Sequence, residues 1–451
     1  MVESIKIALL GSGTVGTQVA RLLSEQSGVF AARAGAPLEL IGIAVKHLDS
    51  PRDQAVDRAL LTDDPYPIIS KADIVIELIG GIEPARSLVR YALEQGKSVV
   101  TGNKALLATY GPELYELAAA NDVDLYYEAA VAGAVPVVYG LRESLAGDRV
   151  NAVMGIMNGT TNFILDEMAT KGLSFDEALG HAQELGFAEA DPSADVDGYD
   201  AAAKIAILAS LAFHMRVNLD DVHTQGIRDI TTDDIASADA AGYVIKLIAL
   251  ARRHELPVRD AAPTAGSQTH GEGVELHVAP TLVAKNHPLA SVNGSFNAVL
   301  IEAESADRLM FYGRGAGGAP TASAVLSDVV AAAAKRVTGG QAPRELVYGD
   351  VHLMNAEDAT SRYYIKLQIA DAVGILAKIT EVFAQHGVSI SSVNQSPLGS
   401  AERSEAQAAG IAVIAITTHE ARSADIDSTV LDLREVDGVH HVLRALRVEE
   451  N

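Results

Sequence analysis

Cysteine is absent from all 451 residues of the chain. Its absence excludes disulfide bonds, and it also excludes metal sites built from thiolates. A mechanism that needs a cysteine nucleophile is excluded for the same reason.

Long apolar runs are also missing. No stretch reaches the roughly 18 consecutive apolar residues that a membrane-spanning helix needs. The chain opens with MVESIKIALLGSG, in which the apolar run is short, contains Lys6 and precedes no cleavage-site pattern. This opening is typical of a β-strand and not of a signal peptide, so we expect a soluble, cytoplasmic protein with no membrane partner.

Positive charge is scarce. The chain has 35 lysine and arginine residues against 59 aspartate and glutamate residues, a formal net charge of −24. Such an acidic surface repels nucleic-acid phosphates, so we expect no nucleic-acid partner. The composition is otherwise that of a globular protein, with 48% hydrophobic residues, and the length predicts two or three domains.

The first third of the chain alternates predicted strands with predicted helices. The strands are predicted at 5–10, 38–45, 72–78, 97–102 and 123–129. Apolar residues at helical spacing lie between them. This alternation predicts an α/β fold with a parallel sheet covered on both faces.

A glycine-rich motif, GSGTVG, stands between the first predicted strand and the first predicted helix. Gly11 allows the tight turn, Gly13 lets a pyrophosphate approach the backbone, and Gly16 lets the helix pack closely on the strand. The unpaired N–H groups of the helix start, at Thr14 and Val15, can bind phosphate. In this context the motif predicts a Rossmann-type domain that binds a dinucleotide.

The end of the second predicted strand bears on the choice of cofactor. NAD-binding domains carry an acidic residue there, which binds the ribose hydroxyls. This chain has Lys46 and His47 instead, followed by Asp49. A cation suits the 2′-phosphate, so Lys46 favours NADP(H). A solvated lysine at a strand end is almost as good an interpretation, and use of NAD(H) stays open.

Residues 189–204 read EADPSADVDGYDAAAK, an acidic run closed by a lysine. A calcium loop aligned on Gly198 would place Lys204 where a bidentate glutamate belongs, which excludes that interpretation. Asp200 and Lys204 stand four residues apart on a predicted helix that is apolar almost all round. A partly desolvated lysine beside a carboxylate can hydrogen-bond a substrate oxygen and exchange a proton with it. An exposed ion pair is the alternative.

The rest of the chain changes pattern twice. Helices followed by β-rich runs predict an α+β domain, and a polar stretch rich in glycine and proline predicts a linker. The last ninety or so residues follow the order β-α-β-β-α-β, which is ferredoxin-like, with a mobile hairpin loop expected at 398–410.

Five motifs together resemble homoserine dehydrogenase. They are GSGTVG, TGNKALL, YEAAVAGAVPVV, GIMNGTTNFIL and GFAEADPSADVDGYDAAAKIAIL, and the resemblance covers about residues 1–340. The segment DAVGILAKITEVFAQHGVSISSV resembles an ACT domain, a small module that senses amino acids. No aspartate kinase portion precedes these motifs, so the resemblance implies the monofunctional form.

The resemblance also implies a domain order and an assembly. We expect a homodimer or a homotetramer. The predicted domains are an NAD(P)-binding Rossmann domain at 1–135 with a return segment at about 316–337, a substrate-binding, catalytic and dimerisation domain at 136–315, a linker at 338–360, and an ACT regulatory domain at 361–451.

The implied activity is the reversible NAD(P)-dependent reduction of L-aspartate 4-semialdehyde to L-homoserine, in threonine, methionine and isoleucine biosynthesis. By the family pattern, Lys204 is the acid/base at the C4 oxygen, and Glu189 and Asp200 hold the ammonium and hydroxyl end of the substrate. Lys104, in TGNK, lies near the nicotinamide and supports substrate binding or proton transfer. A surface lysine at a helix start is the alternative for Lys104.

The resemblance further suggests a monovalent cation, usually sodium, in the YEAAVAGAVP turn. Its ligands would be mainly backbone carbonyls at Glu128, Val131, Gly133 and Val135, and a glycine-containing crossover between domains is the alternative. Thr160, in NGTTN, is predicted to cap a helix at a motif that shapes the substrate pocket.

The remaining expectations concern the cofactor side, regulation and two competing functions. Gly318, in RGAGGAP, is expected near the cofactor. A loop at 371–374 in the ACT-like region suggests feedback control by L-threonine. Aspartate semialdehyde dehydrogenase, a pathway neighbour, needs a nucleophilic cysteine and is excluded. A non-catalytic NADP-binding amino-acid sensor stays as the alternative.

Overall fold

A computed structural model describes residues 3–257, 270–345, 347, 351–395 and 410–450. The chain divides into two compact units. The first consists of Met1–Gly159, Asp200–Val222 and Ser295–Val351. The second consists of Thr160–Tyr199, His223–Gly294 and His352–Asn451. The chain passes between the units repeatedly, so residues that are close in sequence often belong to different units.

The described strands and helices are numbered in chain order. The strands are β1 Ile5–Leu10, β2 Leu38–Ala44, β3 Leu61–Thr62, β4 Ile74–Glu77, β5 Ser98–Thr101, β6 Leu125–Tyr126, β7 Val150–Ile156, β8 His223–Thr224, β9 Tyr243–Pro257, β10 His270–Ala284, β11 Phe296–Ala303, β12 Asp307–Arg314, β13 Val351–Leu353, β14 Thr360–Ala370, β15 Ile390–Gln395, β16 Ile411–Thr418, β17 Ala421–Arg422 and β18 Val439–Glu449. The helices are α1 Thr14–Glu25, α2 Ser27–Ala34, α3 Tyr66–Lys71, α4 Ala85–Glu94, α5 Lys104–Ala120, α6 Val137–Tyr139, α7 Gly159–Lys171, α8 Phe175–Glu184, α9 Ser193–Val196, α10 Tyr199–Phe213, α11 Thr232–Ala240, α12 Gly318–Thr338, α13 Ile375–Gln385 and α14 Ser423–Leu433.

The first unit contains a parallel sheet in the order β3-β2-β1-β4-β5-β6. Strands β4 and β5 are buried throughout and β1 almost throughout, as expected for strands covered by helices on both faces. The strand order reverses between β1 and β4, and dinucleotides bind at such a switch point. The predicted α/β fold of the Rossmann type is confirmed.

Helix α12 packs against this parallel sheet. Its buried residues Ala322, Val325 and Val329 recur at helical spacing and therefore lie on one face. They share a hydrophobic core with Ile7 of β1 and Val19 of α1. A segment more than 300 residues along the chain thus completes a core begun by the first strand.

Three further strands of the first unit pair with one another: β11 lies between β7 and β12 and is antiparallel to both. The ladder between β11 and β7 reaches Ala298 opposite Ile156. The next residues along the two strands are Asn297 and Met157. This register brings the start of β11 beside the segment that leads into α7.

The second unit is built on the long antiparallel pair β9 and β10, in which Tyr243 pairs with Ala284. Strand β18 runs parallel to the end of β10, with Thr281 opposite Arg447. The C-terminal strands follow the order β18-β14-β16-β15, and β14 is antiparallel to both of its neighbours.

Helices α13 and α14 bury Ile379, Phe383 and Leu433 against this C-terminal sheet, in one core with Ile365 and Ile416. The predicted β-α-β-β-α-β order is confirmed. The hairpin loop expected at 398–410 lies outside the described residues except for Gly410. The domain boundaries and the linker stay predictions, and none of the described helices is long and apolar enough to cross a bilayer.

Candidate active site

Helix α10 carries a buried ion pair. The helix is buried almost all round, and Asp200 and Lys204 on it are each only 7% exposed. Their spacing of four residues puts both on one face, where Lys204 Nζ lies 2.7 Å from Asp200 Oδ2. The burial rules out the exposed ion pair that the spacing alone had left open.

A second lysine reaches the same carboxylate. Lys104 is the first residue of α5, whose start is capped by Asn103 through a hydrogen bond to its side chain from the N–H of Leu106. Lys104 Nζ lies 2.6 Å from Asp200 Oδ1. Asp200 is therefore held between two ammonium groups, and Lys104 is not simply a surface lysine.

The charge of Asp200 is set by two opposing effects. Burial alone would raise the pKa of this carboxyl, but the ammonium groups of Lys204 and Lys104 outweigh burial and hold its pKa well below the usual range. Asp200 is therefore ionised at neutral pH. An ionised carboxylate in this position fixes both lysines.

Two further groups at the site were not singled out from the sequence. The main-chain carbonyl of Met157 accepts a hydrogen bond from Lys204 Nζ at 2.6 Å. The side chain of Asn158 donates from Nδ2 to Asp200 Oδ2 at 2.8 Å. The family resemblance covers the motif GIMNGTTNFIL as a whole. The position of its Met-Asn pair at the end of a strand was the local signal that could have indicated these two groups.

Thr160 does not have the role predicted for it. The helix α7 begins at Gly159, so Thr160 lies inside its first turn and does not cap it. Its Oγ1 donates to the carbonyl of Phe187 at 2.8 Å. The prediction failed because a cap at Thr160 requires the helix to begin at Thr161, and the helix begins two residues earlier.

The acidic residues before Asp200 belong to the second unit. Glu189 is exposed there, and its main-chain carbonyl accepts a hydrogen bond from Gln183 Nε2 at 3.0 Å. Asp191 Oδ1 accepts from the N–H of Ser193 at 3.1 Å, as in a turn, and Asp197 pairs with Arg228. The structure brings Lys104, Asp200 and Lys204 together, while a substrate role for Glu189 stays a prediction.

The glycine motif shapes one wall of a cleft of about 780 Å³ in the first unit. A Cβ on Gly16 would lie 2.1 Å from the carbonyl oxygen of Gly11, so strand and helix could not pack as they do. A Cβ on Gly13 would meet no atom of the described chain within 4 Å, so the backbone there is open to a ligand. Thr14 and Val15 follow as the first residues of α1. These features fit the pyrophosphate of a dinucleotide.

Two cationic side chains also line this cleft. Lys46 is exposed and follows β2 closely. Arg52, which the sequence argument did not select, donates from Nη1 to Ser12 Oγ at 2.7 Å. Gly318 begins α12, and a Cβ there would lie 3.2 Å from the carbonyl oxygen of Thr14, so this glycine lies against the start of α1.

The predicted cation turn has an unusual backbone. Ala132 and Gly133 are both left-handed, with φ of 54° and 59°. The Glu128 carboxylate is 2% exposed and accepts hydrogen bonds from the N–H groups of Val138 and Tyr139 at 3.0 and 2.7 Å. Burial raises the pKa of Glu128 to about 7 against the lowering effect of these N–H groups.

By accepting hydrogen bonds from these two N–H groups, the Glu128 carboxylate stabilises the start of α6. The predicted sodium ligands are the hard oxygens of main-chain carbonyls at Glu128, Val131, Gly133 and Val135, and this site stays a prediction. In the described part of the chain, no three histidine, aspartate or glutamate side chains are grouped so as to hold a metal ion.

Family models and relatives point to one activity. A model described as "Homoserine dehydrogenase" matches residues 136–330, its "NAD binding domain" matches 11–128, and the ACT domain model matches 363–438. Homoserine dehydrogenase of Corynebacterium glutamicum is 48% identical over 100% of this chain and 96% of its own length. That of Mycobacterium tuberculosis is 47% identical over 99% of this chain and 98% of its own length.

Solved structures agree in fold. A homoserine dehydrogenase from Thiobacillus denitrificans superposes with a TM-score of 0.87 at 35% identity, covering 99% of both chains. A hyperthermophilic archaeal homoserine dehydrogenase in complex with NADPH gives a TM-score of 0.60 at 26% identity, covering 76% of this chain and all of that one.

Proposed function

This chain belongs to the homoserine dehydrogenase family, which comprises NAD(P)-dependent oxidoreductases acting on a CH–OH group, and we propose that Lys204, Asp200 and Lys104 form the site of its reaction. The reaction is the interconversion of L-aspartate 4-semialdehyde and L-homoserine. One observation carries the assignment: a buried carboxylate holds two ammonium groups, at 2.6 and 2.7 Å.

Lys204 moves the proton. Reduction of the aldehyde adds a hydride to the carbonyl carbon and a proton to the oxygen, and the nicotinamide cofactor supplies the hydride when bound. The Lys204 ammonium donates the proton to the C4 oxygen. In the reverse direction the amine of Lys204 takes the proton from the hydroxyl group of homoserine. Burial in an apolar helix keeps competing water away from this exchange.

Asp200 and Lys104 orient the reactants. Asp200 fixes both lysines and, with Glu189, offers a negative charge to the ammonium and hydroxyl end of the amino acid. The side chain of Lys104 is 44% exposed at the start of α5, so it can face a ligand while it stays paired with Asp200. We assign it to substrate binding or proton transfer beside the nicotinamide.

The cofactor is proposed to be NADP(H), with NAD(H) as a second substrate. Gly11, Gly13 and Gly16 shape the pyrophosphate site, and Lys46 and Arg52 line the same cleft. The two cations that follow β2 suit a 2′-phosphate. The NADPH complex of the archaeal relative supports this choice.

Two further ligands are proposed. Sodium would bind main-chain carbonyls at Glu128, Val131, Gly133 and Val135. L-Threonine would bind the C-terminal module at the loop of Asp371–Gly374, where Val373 is fully exposed and ready to contact a ligand or a second subunit. We propose an assembly of two or four chains.

The decisive experiment follows absorbance at 340 nm with homoserine and NADP⁺, for the parent protein and for Lys204→Ala. We expect activity in the parent and a loss of about 10²-fold or more in the variant. An equally active variant would falsify the role of Lys204. A parent that binds the cofactor but has no activity would instead favour an amino-acid sensor.

The regulatory proposal has its own test. Rates are measured across a threonine titration, and binding is measured by calorimetry on the same preparation. We expect inhibition together with a binding isotherm. If threonine causes no inhibition and calorimetry detects no heat of binding, the C-terminal module serves assembly only.

A further inference from the structure

The main-chain carbonyl of Met157 lies just beyond the ladder between β7 and β11. Its oxygen accepts a hydrogen bond from Lys204 Nζ at 2.6 Å and another from Asn297 Nδ2 at 2.9 Å. A carbonyl oxygen has two lone pairs and can accept both. The two distances limit the separation of the two nitrogens to at most 5.5 Å.

These hydrogen bonds are shielded from water. Asn297 is 1% exposed and Lys204 is 7% exposed. Water cannot easily replace a donor that is lost in such a place, so the carbonyl would move or keep only one partner. The position of the Met157 oxygen therefore depends on Asn297, and the position of Lys204 Nζ depends on that oxygen.

Two glycines leave room for the amide of Asn297. A Cβ on Gly315 would lie 2.1 Å from both Cγ and Nδ2 of Asn297. A Cβ on Gly159 would lie 3.4 Å from Oδ1 of Asn297. The amide is enclosed on both sides, so its orientation toward Met157 is set by packing as well as by the hydrogen bond.

We propose that Asn297 is a positioning residue for Lys204. It holds the Met157 carbonyl, and that carbonyl together with Asp200 fixes the lysine ammonium at the reacting oxygen. Asn297 acts through the carbonyl and does not itself touch the substrate. The inference rests on the proposed role of Lys204 in proton transfer.

Asn297→Leu tests the proposal by removing the donor at similar volume. We expect kcat for homoserine oxidation to fall about 10- to 100-fold, because a shift of about 1 Å in a catalytic group costs that much. We expect KM for homoserine to stay within about threefold, as for a group that acts on the reaction and not on binding. A folded variant with the parent's kcat overturns the proposal.

Asn297→Asp is the second variant and decides the matter if the leucine variant does not fold. It places a negative charge within a few ångströms of Lys204 Nζ. In the pH–rate profile of homoserine oxidation, we expect the limb that rises with pH to move to a higher pH by about one unit. An unmoved limb, with activity reduced only in proportion to folded protein, would show a structural role and overturn the proposal.

The matched control is Ser98→Ala. Ser98 is a buried residue of the first unit whose Oγ accepts a hydrogen bond from the N–H of Asp124 at 3.4 Å. We expect its pH profile to match the parent's, and a limb that moved as far as in Asn297→Asp would overturn the proposal.

Lys204→Ala is measured alongside. If it stays active, the proposed role of Lys204 fails; if it is inactive while both Asn297 variants behave as the parent, only the present inference fails.

Discussion

Lys104 Nζ lies 2.6 Å from Asp200 Oδ1, although the two residues stand on different helices, α5 and α10. The other oxygen of the same carboxylate receives Lys204 and Asn158. A single buried carboxylate therefore organises both lysines. Its removal should affect the reaction more than the loss of one hydrogen bond would.

Asp200→Asn keeps the shape of the side chain but removes its charge. We expect kcat/KM to fall about 10²- to 10³-fold, because both lysines lose the anion that holds them. Residues that act as a unit are not additive, so the double variant Asp200→Asn, Lys204→Ala should be hardly worse than the worse single variant. Initial rates at 340 nm measure both effects.

Asp197→Asn is the control for this series. Asp197 belongs to the same acidic run but pairs with Arg228 in the second unit. We expect its kcat/KM to stay within about threefold of the parent's, as for an exposed ion pair. Fully additive losses in the double variant would contradict the view that Asp200 and Lys204 form one unit.

The glycine motif permits a matched pair of variants. Gly16→Ala puts a Cβ against the backbone of Gly11 and should destabilise the first unit by about 1–3 kcal/mol. Gly13→Ala meets no atom of the described residues and should leave the melting temperature nearly unchanged, while the dissociation constant for NADPH rises about tenfold or more. Thermal unfolding and NADPH fluorescence titration separate the two effects. Unaltered NADPH affinity in Gly13→Ala would rule out the pyrophosphate site.

The choice between NADP⁺ and NAD⁺ is tested at Lys46 and Arg52. Removing both side chains should raise KM for NADP⁺ about 10- to 100-fold, because hydrogen bonds to a charged phosphate are lost. KM for NAD⁺ should change little. Lys71→Ala, at an exposed site outside the cleft, serves as the control. Equal losses with both cofactors would contradict a 2′-phosphate contact.

Lys246 predicts a pH dependence of stability. It is 4% exposed, and its Nζ donates to Asn162 Oδ1 at 3.0 Å and to the carbonyl of Val292 at 2.6 Å. Burial lowers the pKa of Lys246 to about 8, and the charge of Asp166 opposes that shift only in part. Above pH 8 the folded protein releases a proton that the unfolded chain keeps, so a higher pH favours folding.

The expected gain is on the order of 2 kcal/mol between pH 8 and 9.5. It is measured as the difference in thermal stability between the parent and Lys246→Met at the two pH values. Lys285→Met, at an exposed lysine, provides the control, in which no such difference should develop. A difference for Lys246→Met that is the same at both pH values would contradict the prediction.

Much of the fold followed from local patterns. Strand-helix alternation and the glycine motif predicted the Rossmann-type sheet, and the strand ends moved by only a few residues. The ferredoxin-like order of the C-terminal module was also predicted. These features depend on the periods of helices and strands and on turn chemistry, which short stretches of sequence display.

The site was only partly predictable. The spacing of four residues placed Asp200 and Lys204 on one helical face, and the apolar neighbours of Lys204 indicated its burial. The resemblance to homoserine dehydrogenase added Lys104. Arg52 and Asn297 were not selected, because nothing near either of them in the sequence indicates its partner. Asn158 belongs to a motif that was selected, but the sequence does not indicate that Asp200 is its partner.

The sequence by itself determined the chemistry that is available: a dinucleotide motif, no thiol, and a lysine beside a carboxylate on a buried helix. Only the tertiary structure decided which groups meet. The register of β7 and β11 places Asn297 beside the carbonyl of Met157, and the packing of α5 and α10 brings Lys104 to Asp200. Such contacts join segments far apart in the chain, so they are set by how sheets and helices pack and not by any local period.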